Sequence, residues 1–215
     1  MSTLDYQNSD DARHERKGFL RQLFGASQQE VWAALAQEID ARYEQGGWFT
    51  GGRLIADVGP WQVTLDVVNR DKHCFTRLRA PFVNPDGFRF RVHRRNIFTG
   101  LGEALGMQDI KIGVEPFDHD FIVKSADEAK VRTLLSNERL RRLIDFQPHI
   151  HFAVKDDEGW FGTKFPEGVD ELYFERYGIL KDPELLKGLF NLFAETLQQL
   201  CIQGSAYETP PGVTL

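Results

Sequence analysis

The chain has 215 residues, 41% of them hydrophobic and 27% charged, with a formal net charge of -6. This mixture fits one globular domain or two intimately packed halves and excludes wholesale disorder and collagen-like structure. The acidic balance argues against binding nucleic acid or an anionic membrane through the bulk surface.

Seventeen Phe against five Tyr and two Met predict a rigid, aromatic-rich core. Two cysteines, Cys74 and Cys201, are too few for a disulfide framework or a four-thiolate zinc site, and their contexts predict small buried hydrophobes. Residues 1–10 carry neither a basic n-region nor an apolar h-region, and no window approaches the roughly 18 apolar residues of a spanning helix. The expectation is a soluble, cytoplasmic protein.

In chain order, residues 1–11 read as a loose polar tail, and Phe19, Leu20, Leu23 and Phe24 mark a short amphipathic helix over 12–24. Ser27 and Glu30 form a capping box. Val31, Leu35, Ile39 and Tyr43 then predict a helix over 28–45, ended by Gly46-Gly47. The pattern changes to period 2 in Arg53–Val58, Trp61–Val68, Cys74–Ala80 and Phe88–Val92. Turn signals at Gly59-Pro60, Asn69-Arg70-Asp71 and Pro85-Asp86-Gly87 separate these runs, which favours antiparallel hairpins. Residues 96–106 read as a short helix or irregular segment.

A second cycle follows. Phe121–Lys124 is strand-like, and Ser125 and Glu128 suggest another capping box. A helix over 127–145 carries a break signal at Ser136-Asn137. Strands are predicted at 151–154, 159–164 and 172–176. Asp182 as cap and Pro183 at the first helical position open a long helix over 183–203, whose buried stripe includes Leu186, Phe190, Phe193 and Leu197. Residues 205–215 read as a tail. Gly47-Trp48-Phe49 and Gly159-Trp160-Phe161 echo each other, so halves at 12–106 and 107–204 are considered within a domain spanning 12–204. No longer match joins them, and coincidence is the simpler account.

The main electrostatic anomaly lies in residues 70–95, with eight basic residues against two acidic ones in a chain that is acidic overall. Strand alternation puts Arg77 with Arg79 on one face, and Arg89, Arg91 and His93 on one face of the next run. Paired strands would present a guanidinium surface able to hold an anion or an acidic partner. The competing reading is a solvated face or arginines already paired with acidic residues of the same chain. For a metal, His149 and His151 share a strand face, and Asp118-His119-Asp120 forms a second cluster. No recognised metal-enzyme frame joins the clusters, so no metal and no cofactor are expected. Gly100, Gly102 and Gly106 fail the dinucleotide pattern, and no phosphate-cradling loop, nucleophile elbow or zinc-protease helix is present.

The segments Thr76–Phe82, Gln108–Gly113, Phe117–Lys124 and Leu134–Asn137 resemble those of a family of uncharacterised bacterial proteins of unknown function. The resemblance implies a bacterial cytoplasmic protein and carries no activity, cofactor or catalytic residue. The fold expected from the residues is α+β: an antiparallel sheet covered on one face by amphipathic helices, with a long C-terminal helix. Two pseudo-duplicated lobes are the favoured version, and a helix wrapped in a curved sheet is the alternative. The leading functional expectation is non-catalytic binding of an acidic partner or small anion through Arg77, Arg79, Arg89, Arg91 and His93. A small metal-assisted hydrolase and a small-ligand carrier are the alternatives.

Overall fold

Alternating side chains and tight turns build the sheet, as seen in a computed structural model that describes residues 26–46, 51–95, 108–156, 165–213 and 215. Helix α1 (Gln28–Glu38) leads into strands β1 (Arg42–Glu44), β2 (Arg53–Val58), β3 (Trp61–Arg70), β4 (His73–Val83) and β5 (Phe90–Arg94). Next come β6 (Gln108–Ile110), α2 (Glu115–Asp120), β7 (Phe121–Ser125), α3 (Glu128–Ser136) and α4 (Glu138–Asp145). The chain then forms β8 (His151–Lys155), β9 (Val169–Tyr177) and α5 (Pro183–Ile202). These nine strands make one sheet in the order β1-β2-β3-β4-β9-β8-β5-β7-β6, and neighbouring strands are antiparallel. The fold is therefore α+β with a long C-terminal helix.

Two turns show why β2, β3 and β4 form a meander. Gly59 at φ 58° precedes Pro60 in a two-residue hairpin, a place where a left-handed first position matches the strand twist. Asp71 and Lys72 both take positive φ in the next hairpin. The turn is Asp71-Lys72 rather than Asn69-Arg70-Asp71, so Asn69 and Arg70 belong to the strand, opposite Cys74 and His73.

The helices cover one face. Leu54, Leu65, Leu78, Phe174, Phe152, Val92 and Val123 alternate onto that side and join Trp32, Leu135, Leu140, Leu189 and Phe193 in the core. Phe90 and Phe193 both pack against Phe152, with ring centroids 5.5 and 5.7 Å away. Helix α5 lies against α1, α3 and α4 and supplies the longest part of the cover. Asp182 accepts from the amides of Glu184 and Leu185, so the cap and proline signals mark its start.

Several local expectations are corrected. Helix α1 ends at Glu38, because Asp40 adopts φ 53° and the Ala41 amide donates back to the Ala36 carbonyl; Tyr43 sits in β1 instead. The capping box of Ser27 and Glu30 is present. At the second box the cap is Asp127, while Ser125 donates to the Arg89 carbonyl and accepts from the Asp127 amide. The break at Ser136-Asn137 separates α3 from α4, with Asn137 capping α4. Cys74 and Cys201 are only partly buried. Beyond α5, Ser205 and Ala206 are buried and the Tyr207 amide donates to Val83. The predicted helix over 12–24, the segment 96–106, the strand over 159–164 and the Gly-Trp-Phe echo lie outside the described residues.

Candidate functional site

The face turned away from the helices is polar. Register alone composes its first row: Asp66 on β3, Arg77 on β4, Glu175 on β9, His151 on β8 and His93 on β5 stand side by side. The adjacent row runs Thr64, Arg79, Tyr173, Ala153, Arg91, Lys124 and Asp109. A third places Pro81, Glu171 and Lys155 together. Because side chains alternate at period 2, the same strands present Leu78, Phe174, Phe152 and Val92 to the core.

The β3–β4–β9 part of this face is an ion-pair network. Asp66 accepts from Arg77 at 2.9 and 2.8 Å and from Arg79 at 2.8 Å. Burial pushes the Asp66 carboxyl up, but the Arg77 hydrogen bond and the charges of both guanidiniums outweigh it and leave the group below its ordinary range. Arg70 pairs with Glu175 at 2.8 Å and donates to the Tyr173 hydroxyl, which itself donates to Glu175. Burial raises the Tyr173 phenol, and the Glu175 charge raises it further, so it serves as a donor.

The β8–β5 part differs. His151 is 5% exposed, and neither ring nitrogen has a hydrogen-bond partner among the described residues. Burial, then the charges of Lys155, Arg91 and His93, lower its pKa to about 3, so the ring is neutral. Lys155 places its ammonium over the Tyr173 ring, 3.0 Å from the centroid. Burial brings its pKa to about 8 against the opposing pull of Glu171 and Glu175. Arg91 forms no ion pair among the described residues, its Nε is buried without a partner, and burial lowers its pKa. The residue directly across from Arg91 on β7 is Lys124, another cation, held 3.4 Å from Asp109.

The remaining sequence candidates are placed as follows. Arg77, Arg79, Arg91 and His93 share the polar face. Arg89 binds Asp170 through two nitrogens, at 3.0 and 3.2 Å, and Asp156 through the third at 3.2 Å. His93 Nδ1 lies 3.2 Å from the Arg94 carbonyl. His149 is exposed ahead of β8, whereas His151 is buried within it. Asp118 accepts from the amides of Ile112 and Gly113, both at 2.8 Å, and so organises the loop before α2. His119 and Asp120 contact each other at the surface. Among the described residues no group of three or more His, Cys, Asp or Glu is arranged to hold a metal ion. No helix among them is long and apolar enough to cross a membrane.

Sequence reasoning missed Asp66, Arg70, Lys155, Glu171, Tyr173 and Glu175. A signal existed for three of them: Glu171, Tyr173 and Glu175 alternate within one strand-like run and must share a face. Nothing local announces that this face would be brought against Arg77 and Arg79.

No protein-family model and no curated protein matches the chain. Among solved structures, the chain is similar to the crystal structure of the mycobacterial trehalose monomycolate transport factor A, TtfA, with a TM-score of 0.52 and 9% identity. The alignment covers 87% of this chain and 98% of that one, and at such identity it shows a shared fold alone.

Proposed function

We propose that this is a non-catalytic binding protein whose polar sheet face holds an anionic ligand or partner. The observation that carries the reading is the cation surplus at β5 and β8. There Arg91 has no carboxylate partner among the described residues and faces Lys124 across the ladder. Like charges directly opposite destabilise a sheet, and an anion between them offsets the repulsion. A catalytic use of the same face has less support. Asp66 is held by two arginines and Glu175 by Arg70 and Tyr173, so neither is poised as a base. His151 stands beside Glu175, but neither of its ring nitrogens is hydrogen-bonded to a carboxylate that would orient it.

A carrier reading has one supporting feature, a cleft of about 280 Å³ in which Ile39, Ala56, Val58 and Phe190 are joined by Asp57, Lys187 and Asn191. The structurally similar protein is named as a transport factor, which agrees with that reading without adding to it.

Native mass spectrometry of the purified protein at low salt, with thermal shifts against small anions and acidic polypeptides, tests the proposal. We expect an anionic species to bind and to weaken as salt rises, since exposed charges are screened beyond about 8 Å at physiological ionic strength. Arg91→Glu should abolish that binding with little change in Tm. An apolar molecule co-purifying in the cleft would favour the carrier, and absence of any anion binding at low salt would overturn the proposal.

A further inference from the structure

The geometry points to a discrete oxyanion site at Arg91 and His151, taking one carboxylate or phosphate group of a small molecule. This deepens the binding reading above and rests on it. Native proteins leave few buried polar atoms unsatisfied, and a cluster of exceptions calls for an explanation, of which a bound ion is one. Here three such atoms fall within one register step of each other: Arg91 Nε and both ring nitrogens of His151, where Arg91 pairs with Ala153 and His151 lies two residues along β8. Ala153, the residue between them, is only 2% exposed, so the position is enclosed rather than open to solvent. Lys124 stands directly opposite Arg91 and Lys155 lies two residues beyond Ala153 on the other side, so two further cations flank the position.

The donor set matches one oxyanion. A guanidinium offers parallel N–H groups to two oxygens, and a neutral imidazole offers one further N–H. His93 is differently engaged, since its Nδ1 sits against the Arg94 carbonyl.

The charge pattern also separates a small ligand from an acidic polypeptide. Glu175 stands beside His151 in the same row, with Asp66 two strands further on, and Glu171 is next to Lys155. A run of carboxylates laid across the face would meet all of these acids, whereas a single anionic group at Arg91 and His151 has Glu175 as its near neighbour, and that carboxylate is already paired with Arg70 at 2.8 Å. Repulsion at several acids outweighs one added contact, so the small ligand wins.

Sodium phosphate and sodium acetate, each titrated into the full-length protein against sodium chloride at equal ionic strength, provide the test. We expect one or both to raise Tm and to shift the His151 ring resonances in NMR spectra, with changes centred on His151, Ala153 and Arg91. Response to phosphate alone identifies a phosphate group, and response to acetate alone a carboxylate; either supports the site. R91Q should weaken binding about ten- to a hundredfold, the range for losing a charged hydrogen bond, and H151N about three- to tenfold. R132Q, an equal charge change on α3, should leave binding within twofold. If R91Q does not fold, the location of the wild-type shifts decides. Equal responses to chloride, shifts centred elsewhere, or unchanged binding by folded R91Q would overturn the site. Acidic polypeptides binding where phosphate and acetate fail would also overturn it, while leaving the broader binding function intact.

Discussion

Thr76 fastens the connection between the sheet and the long helix, and replacing it by Val should expose how much that connection depends on one hydroxyl. Thr76 is fully buried on β4; its Oγ1 donates to the Gly178 carbonyl at 2.8 Å and accepts from the Leu180 amide at 2.7 Å. Those residues lie between β9 and α5, and the Leu180 carbonyl in turn accepts from Trp32 of α1 at 3.0 Å. Val preserves the shape and removes both hydroxyl bonds. The two partners are not equally harmed. Gly178 keeps a second donor, the Thr76 amide at 3.1 Å, whereas the buried Leu180 amide is left without its acceptor.

One orphaned buried donor costs about 1–3 kcal/mol. For a chain of this size that corresponds to a fall in Tm of roughly 2–12 °C. Urea unfolding followed by circular dichroism should show a lower midpoint at unchanged slope. Thr76→Ser, which retains the hydroxyl and loses one methyl, should cost about 1 kcal/mol. A Thr76→Val loss below about 0.5 kcal/mol would refute the clamp, because water or a shifted backbone would then satisfy Leu180 as well as the hydroxyl does.

Two further expectations follow from the same structure. Phe193→Ala removes a fully buried ring packed on Phe152 and should cost about 3–5 kcal/mol in the same denaturation assay; a loss under about 1 kcal/mol would mean the core collapses around the gap. Asp66 titrates below its ordinary range when folded, so its contribution is present above the unfolded carboxylate pKa near 3.9 and disappears as pH falls through the folded value. The stability gap between wild type and Asp66→Asn should therefore be largest near neutral pH and shrink below about pH 4, and a gap independent of pH would contradict this.

The sequence by itself determined the elements whose causes are local. Asp182 and Pro183 start α5, Ser27 and Glu30 cap α1, Asn137 divides α3 from α4, and Gly59-Pro60 turns β2 into β3, because each signal acts within a few residues of where it stands. Period-2 runs joined by short turns likewise set the antiparallel meander. Elements with weaker local causes escaped: β1 and β6 are three residues each, and α1 stops early through the backbone of Asp40 rather than a glycine.

The candidate site belongs almost wholly to the tertiary structure. Alternation placed Arg77 with Arg79 and Arg91 with His93 on common faces, but it could not say which strands would be neighbours. Insertion of β9 and β8 between β4 and β5 sets Glu175 and Tyr173 beside Arg77 and Arg79, and Ala153 beside Arg91. Partner identity over such separations depends on the order of strands in the sheet. That order decides which cations meet a carboxylate and leaves Arg91 facing Lys124.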